Sequence, residues 1–191
     1  MLFLRLDQAR ELERAARNLK ERLAVRYALW NGLSSGEIAA ARMEYLDPVE
    51  CTLFLPWRHW KRNCIASVDP ETVRLQAIYS GARKAGPLLR SQKGGHFRRQ
   101  SICLIVKRVA ATTRIPDARS ISPRTLKRTF AREWLMAGGT LGSLQKQLGH
   151  KHLWSTAHYL RFVLEDVRRN HARLMERVSH GQENEQPRLV S

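Results

Sequence analysis

Helix-start and helix-stop signals recur at short intervals along this chain and leave room for one β-prone stretch. Ser34-x-x-Glu37 has the form of a capping box, in which a hydroxyl and a carboxylate satisfy each other's backbone amides. It predicts a short helix through about Met43, closed by Asp47-Pro48. Asp69-Pro70-Glu71 sets an aspartate at the N-cap and a proline at the first helical position, and Ser122-Pro123 repeats the device. Thr140 caps a helix with Leu141, Leu144 and Leu148 inward and Gly149 at its end. Arg98 to Ala110 carries Ile102, Ile105, Val106 and Val109 on one face. Asp7 to Trp30 reads as one helix, with Leu12, Leu19, Leu23 and Tyr27 aligned, until Asn31-Gly32 breaks it. Thr52–Leu55 and Cys64–Val68 are β-prone and flank a basic, aromatic tip, Trp57 to Arg62, which predicts a hairpin. Ser155 to Tyr159 is a further helical piece, and Phe162 to Val178 a last amphipathic helix. The pattern is α+β: mostly helical, with a small antiparallel β-sheet.

Charge narrows the function. In 191 residues, 34 Lys and Arg stand against 17 Asp and Glu, a net +17. That surplus calls for a polyanionic partner, most simply nucleic acid, since mixed signs serve solubility better. The cysteines, Cys51, Cys64 and Cys103, are scattered and odd in number, as in a reduced cytosolic protein. A zinc site from Cys51, His59 and Cys64 lacks a usual ligand spacing. No apolar run is long enough to span a bilayer, and the N-terminus becomes charged too soon for a signal peptide.

Two motifs carry chemistry. Leu148-Gly149-His150 is followed nine residues later by Tyr159. A histidine fixed at a helix end and a tyrosine beyond it can both reach one phosphate. Upstream, Arg124-Thr125-Leu126-Lys127-Arg128-Thr129-Phe130-Ala131 opens a helix. Together these resemble the second conserved box of the tyrosine recombinase (phage integrase) family. Gly32-Leu33-Ser34-Ser35-Gly36-Glu37 resembles the first box at its glycine, leucine and glutamate.

The resemblance implies a tyrosine-recombinase catalytic domain over residues 1–178, with a polar, disordered tail at 179–191. One helix ahead of the first box implies that the family's usual N-terminal DNA-clamping domain is absent. The implied activity is site-specific breakage and rejoining of double-stranded DNA through a 3′-phosphotyrosine intermediate, with no cofactor and no metal. Tyr159 matches the nucleophile and His150 the later histidine. Arg124 falls at the second-box histidine and Lys127 at the second arginine. Ser34 falls where the first arginine is expected, and its plainer role is an N-cap for Glu37's helix. Arg42, two turns on, is not a ready substitute. The leaving-group acid belongs near the hairpin tip: Lys61 is the lysine there, while counting from the first box points closer to Arg58. Arginine gives up its proton too poorly for the task, which favours Lys61. Both as simple phosphate contacts is the plainer alternative. Arg58, Arg62, Arg128 and Lys151 are the DNA-binding candidates, and His152 and His158 read as surface residues. The last helix sets Arg168, Arg169, Arg173 and Arg177 opposite Leu164, Val167 and Leu174. It either docks on a neighbouring subunit or packs on its own domain. Strand exchange between two duplexes implies a homo-tetramer on DNA, in the cytoplasm at the nucleoid. The rival reading is a DNA-binding protein that does not cut.

Overall fold

A computed structural model describes residues 3–56 and 65–183. The stretch expected to be one helix is two, α1 (Leu6–Arg14) and α2 (Leu19–Leu29). Apolar periodicity runs through the break, but local capping overrides it. The Asn18 side chain accepts from the Glu21 amide at 3.0 Å, and the Glu21 carboxylate accepts from the Arg17 amide at 3.0 Å. Helix α2 is the centre of the molecule, packing against α4 (Pro70–Ser80), α5 (Arg99–Ala110) and α6 (Pro123–Met136). Its residues Leu23 through Leu29 are all buried.

A buried ion network fixes this packing. The Arg26 guanidinium donates to Glu13 at 2.6 Å, to Thr72 at 2.8 Å and to Asp69, the N-cap of α4. Burial pushes the Glu13 carboxyl upward, but bonds from Trp30, Arg26 and Arg22 more than reverse this and hold it below the usual carboxylate range. The network closes on Asn31, whose side-chain oxygen accepts from the Asp69 amide at 2.6 Å.

Helix α3 (Ser35–Ala40) is shorter than the expected run to Met43, which continues instead as a 3₁₀ turn, Met43–Tyr45. The sheet has a strand that propensity did not announce. β1 (Leu46–Asp47), β2 (Thr52–Phe54) and β3 (Ile65–Ser67) pair antiparallel in that order, with Leu53 opposite Ala66. The hairpin tip, and with it Arg58, Lys61 and Arg62, lies outside the described residues. Helices α7 (Leu141–Leu148), α8 (Trp154–Ala157) and α9 (Leu160–Glu183) follow α6. A second apolar cluster of Phe130, Leu144, Leu148, Tyr159 and Phe162 joins them. Helix α9 starts earlier and ends later than the expected Phe162–Val178. Beyond Phe162 its apolar side chains leave the core: Leu164, Val167 and Leu174 are 55–57% exposed. The mostly helical α+β architecture agrees with the expectation.

Candidate active site

The first and second boxes meet at Gly32. Its φ is +67°, and a Cβ there would lie 2.6 Å from the Phe130 ring and 2.9 Å from Leu148. Only glycine suits both the backbone and the space. Two residues on, Ser34 is the N-cap of α3. Its amide donates to the Glu37 carboxylate at 2.6 Å, and its hydroxyl accepts from the Glu37 amide at 3.3 Å. The position that resembles the first arginine is thus occupied by a satisfied capping box. Arg42 engages Glu44 at 2.6 Å and does not take over that position.

Helix α6 supplies three cations from its first turns. Pro123 follows the Ser122 N-cap, so Arg124, Lys127 and Arg128 come at i, i+3 and i+4 and share one side of the helix. Lys127 is mostly covered. Its ammonium lies 3.9 Å from Glu37 and 3.4 Å from the Leu148 carbonyl, joining the capping box to the end of α7. Arg124 is exposed and Arg128 half-buried.

Gly149, at φ +67°, ends α7 and turns the chain so that His150 points back over α8. The His150 Nδ1 lies 2.9 Å from the Thr156 hydroxyl, which is itself fully buried. That contact sets the ring beside Tyr159, with centroids 6.1 Å apart and planes within 7°. Tyr159 sits in the turn between α8 and α9, 6% exposed. Burial pushes its phenol above the ordinary range, while Arg128 and Arg124 pull it down, so both guanidiniums bear on the phenol. Tyr159, His150, Arg124 and Arg128 are therefore one constellation. Lys151 is exposed on the adjoining loop.

Two residues, Thr156 and Gln147, went unnoticed in the sequence, and a third, His158, was read only as a surface residue. Thr156 orients His150. His158 is exposed, as expected, yet stacks on Tyr159 at 4.4 Å. Gln147, nearly buried, is held on three sides. It accepts from the Ser67 amide at 2.9 Å and donates to the carbonyls of Asn31 at 2.9 Å and Ser67 at 2.8 Å. It binds α7 to β3 and to the start of the first box. Its only signal was a polar residue on the apolar stripe of Leu144 and Leu148. Among the described residues no His, Cys, Asp and Glu group could hold a metal, and no helix is long and apolar enough to cross a membrane.

The chain is thus a helical domain with a three-stranded sheet that holds a tyrosine after a short helix, with basic side chains around it. Residues 3–163 match the model of the phage integrase family. A tyrosine recombinase XerC from Pelobacter propionicus is 28% identical over 171 residues, covering 85% of this chain and 56% of that protein. The crystal structure of XerA recombinase superposes with a TM-score of 0.77 at 21% identity, over 90% of this chain and 63% of that one. The Tn1549 transposon integrase, solved with circular intermediate DNA, has the same fold. Its TM-score is 0.70 at 16% identity, over 82% of this chain and 60% of that one. The chain belongs to the phage integrase, or tyrosine recombinase, family. It spans little more than half the length of the curated relatives it matches.

Proposed function

We propose that this chain breaks and rejoins double-stranded DNA at specific sites. The Tyr159 phenol attacks a backbone phosphate; an Oη–P bond forms as the P–O5′ bond breaks, leaving a 3′-phosphotyrosine and a 5′ hydroxyl, and reversal rejoins the strand. His150, Arg124 and Lys127 bind the phosphate oxygens. Arg128, Lys151, Arg58 and Arg62 contact DNA, and Lys61 or Arg58 protonates the leaving oxygen. The observation that carries this reading is the placement of Tyr159 beside His150 with two α6 guanidiniums bearing on its phenol.

The clamp predicts a slow enzyme. One missing oxyanion donor costs roughly 10²–10³ in rate, and a missing arginine clamp on a phosphoryl group about 10³–10⁵. Ser34 offers no guanidinium, and Lys127 offers a point charge rather than a two-pronged fork. Double-stranded DNA as partner is supported by the +17 charge and by the DNA-bound integrase that shares the fold. Exchange between two duplexes needs a tetramer, and the exposed apolar residues of α9 offer a face for a neighbouring copy.

A second reading, a DNA-binding protein that occupies or regulates recombination sites without cutting, is favoured by the capping box that commits Ser34 to Glu37. Nicked duplexes from the chain's own genetic neighbourhood distinguish the two. A denaturing-gel adduct with the parent that is absent with Tyr159→Phe supports the enzyme. Salt-sensitive binding without an adduct supports the regulator.

A further inference from the structure

The cations around Tyr159 are all proton donors, so something else must take the phenol proton as the nucleophile attacks. Arg124 and Arg128 cannot accept one, because guanidinium stays protonated in proteins. His150 is engaged through Nδ1 with Thr156, and in the reading above it binds the phosphate. One imidazole remains in contact with the phenol ring. His158 stacks on Tyr159 with centroids 4.4 Å apart and planes 25° apart, and meets Phe162 edge-on at 5.9 Å.

We propose that His158 is the proton acceptor for the Tyr159 nucleophile. The inference rests on the recombinase reading and names one of its catalytic groups. As the Oη–P bond forms, the phenol proton passes to a ring nitrogen of His158. As the P–O5′ bond breaks, the 5′ oxygen takes a proton from the leaving-group acid of that reading or from water. In the reverse reaction His158⁺ returns its proton to the departing phenol. His158 is exposed to solvent, and the proposed transfer has its ring turn toward Oη when DNA engages. Catalytic hydrogen bonds of this kind are commonly long in the free enzyme and tighten in the complex.

Electrostatics agree. Partial burial, then Arg161 on α9 and Arg128 on α6, lower the His158 pKa from the ordinary imidazole value. Among the described residues, the charged groups that act on it are Arg161 and Arg128, its ring neighbours are Tyr159 and Phe162, and none of these is a carboxylate that would hold a proton on the ring. A neutral imidazole is the form a base needs, and here it persists to lower pH than usual.

The test measures the rate of phosphotyrosine adduct formation on the nicked duplex, from acid to alkaline pH, for the parent, His158→Phe and His158→Gln. The phenyl ring keeps the stack and removes the base. The parent should lose rate on acidification as His158 gains its proton. Both variants should be slower by 10²-fold or more near neutrality, within the range general-base catalysis supplies. Both should lose that acid limb, with DNA affinity and melting temperature unchanged. A His158→Phe protein with the parent's rate and pH profile overturns the inference and leaves the recombinase reading standing, since the ring is then only packing. No adduct from the parent at any pH overturns the recombinase reading, and this inference with it.

Discussion

Replacing Gln147 by leucine tests whether one amide holds the site together. Leucine is close in size, so little volume is lost, but three hydrogen bonds go. The Asn31 carbonyl is buried and left without this donor, at a cost of about 1–3 kcal/mol. The Ser67 amide and carbonyl are only partly buried and regain some water, so each adds about 0.5 kcal/mol. The sum is about 2–4 kcal/mol. For a chain of this length each kcal/mol lowers the melting temperature by roughly 2–4 °C. A fall of about 5–15 °C by calorimetry is therefore expected. Hydrogen exchange at the Ser67 amide should quicken beyond what global destabilisation explains. Gln147→Glu keeps the acceptor but sets a carboxylate against two carbonyls. It should be the less stable variant at neutral pH and recover on acidification as the carboxyl protonates. A Gln147→Leu protein melting within about a degree of the parent, which corresponds to under about 0.5 kcal/mol, refutes the reasoning.

Gly32→Ala should cost about 3 kcal/mol by urea denaturation, from overpacking against Phe130 and Leu148 together with a left-handed backbone. Glu13 has a depressed folded pKa. Its stabilisation is present above the ordinary carboxylate value and is lost as pH falls through the folded one, so Glu13→Gln should flatten the acid limb of the stability profile. Ser34→Arg should lose about 1 kcal/mol of helix-cap energy in a thermal melt, yet raise adduct formation about 10-fold or more by adding a phosphate donor. DNA affinity should fall steeply with salt in a fluorescence titration, and Arg124→Ala should shallow the log–log slope by about one.

Local chemistry was legible where a residue's partner is its own neighbour. Ser122 with Pro123, Asp69 with Pro70, and Gly149 each marked a helix boundary that the structure keeps. The break at Asn18 was hidden because Leu12, Leu19 and Leu23 keep helical spacing across it, while the cap depends on one amide geometry. Strand β1 is two residues long, too short for any periodicity to register. Gly32 was visible as a breaker, but nothing in its own segment points to Phe130. His150 and Tyr159 stood out by their spacing within one stretch of chain, and Arg124 only through the family resemblance; the structure sets the His150 ring beside Tyr159. The clasp of Asn31, Ser67 and Gln147 was not, because its members lie far apart in sequence and only the fold joins them.

That clasp has a consequence for timing. Contacts between distant segments form late, after the entropy of closing the intervening loops has been overcome. On the ribosome, residues 31 and 67 emerge well before residue 147. Until Gln147 arrives, the start of the first box and the return strand of the hairpin lack its hydrogen bonds to α7, the helix that His150 follows. In a nascent chain the first box and the return strand therefore wait for α7 before the three segments are tied together. The clasp is thus a late closure, made only once synthesis has passed residue 147.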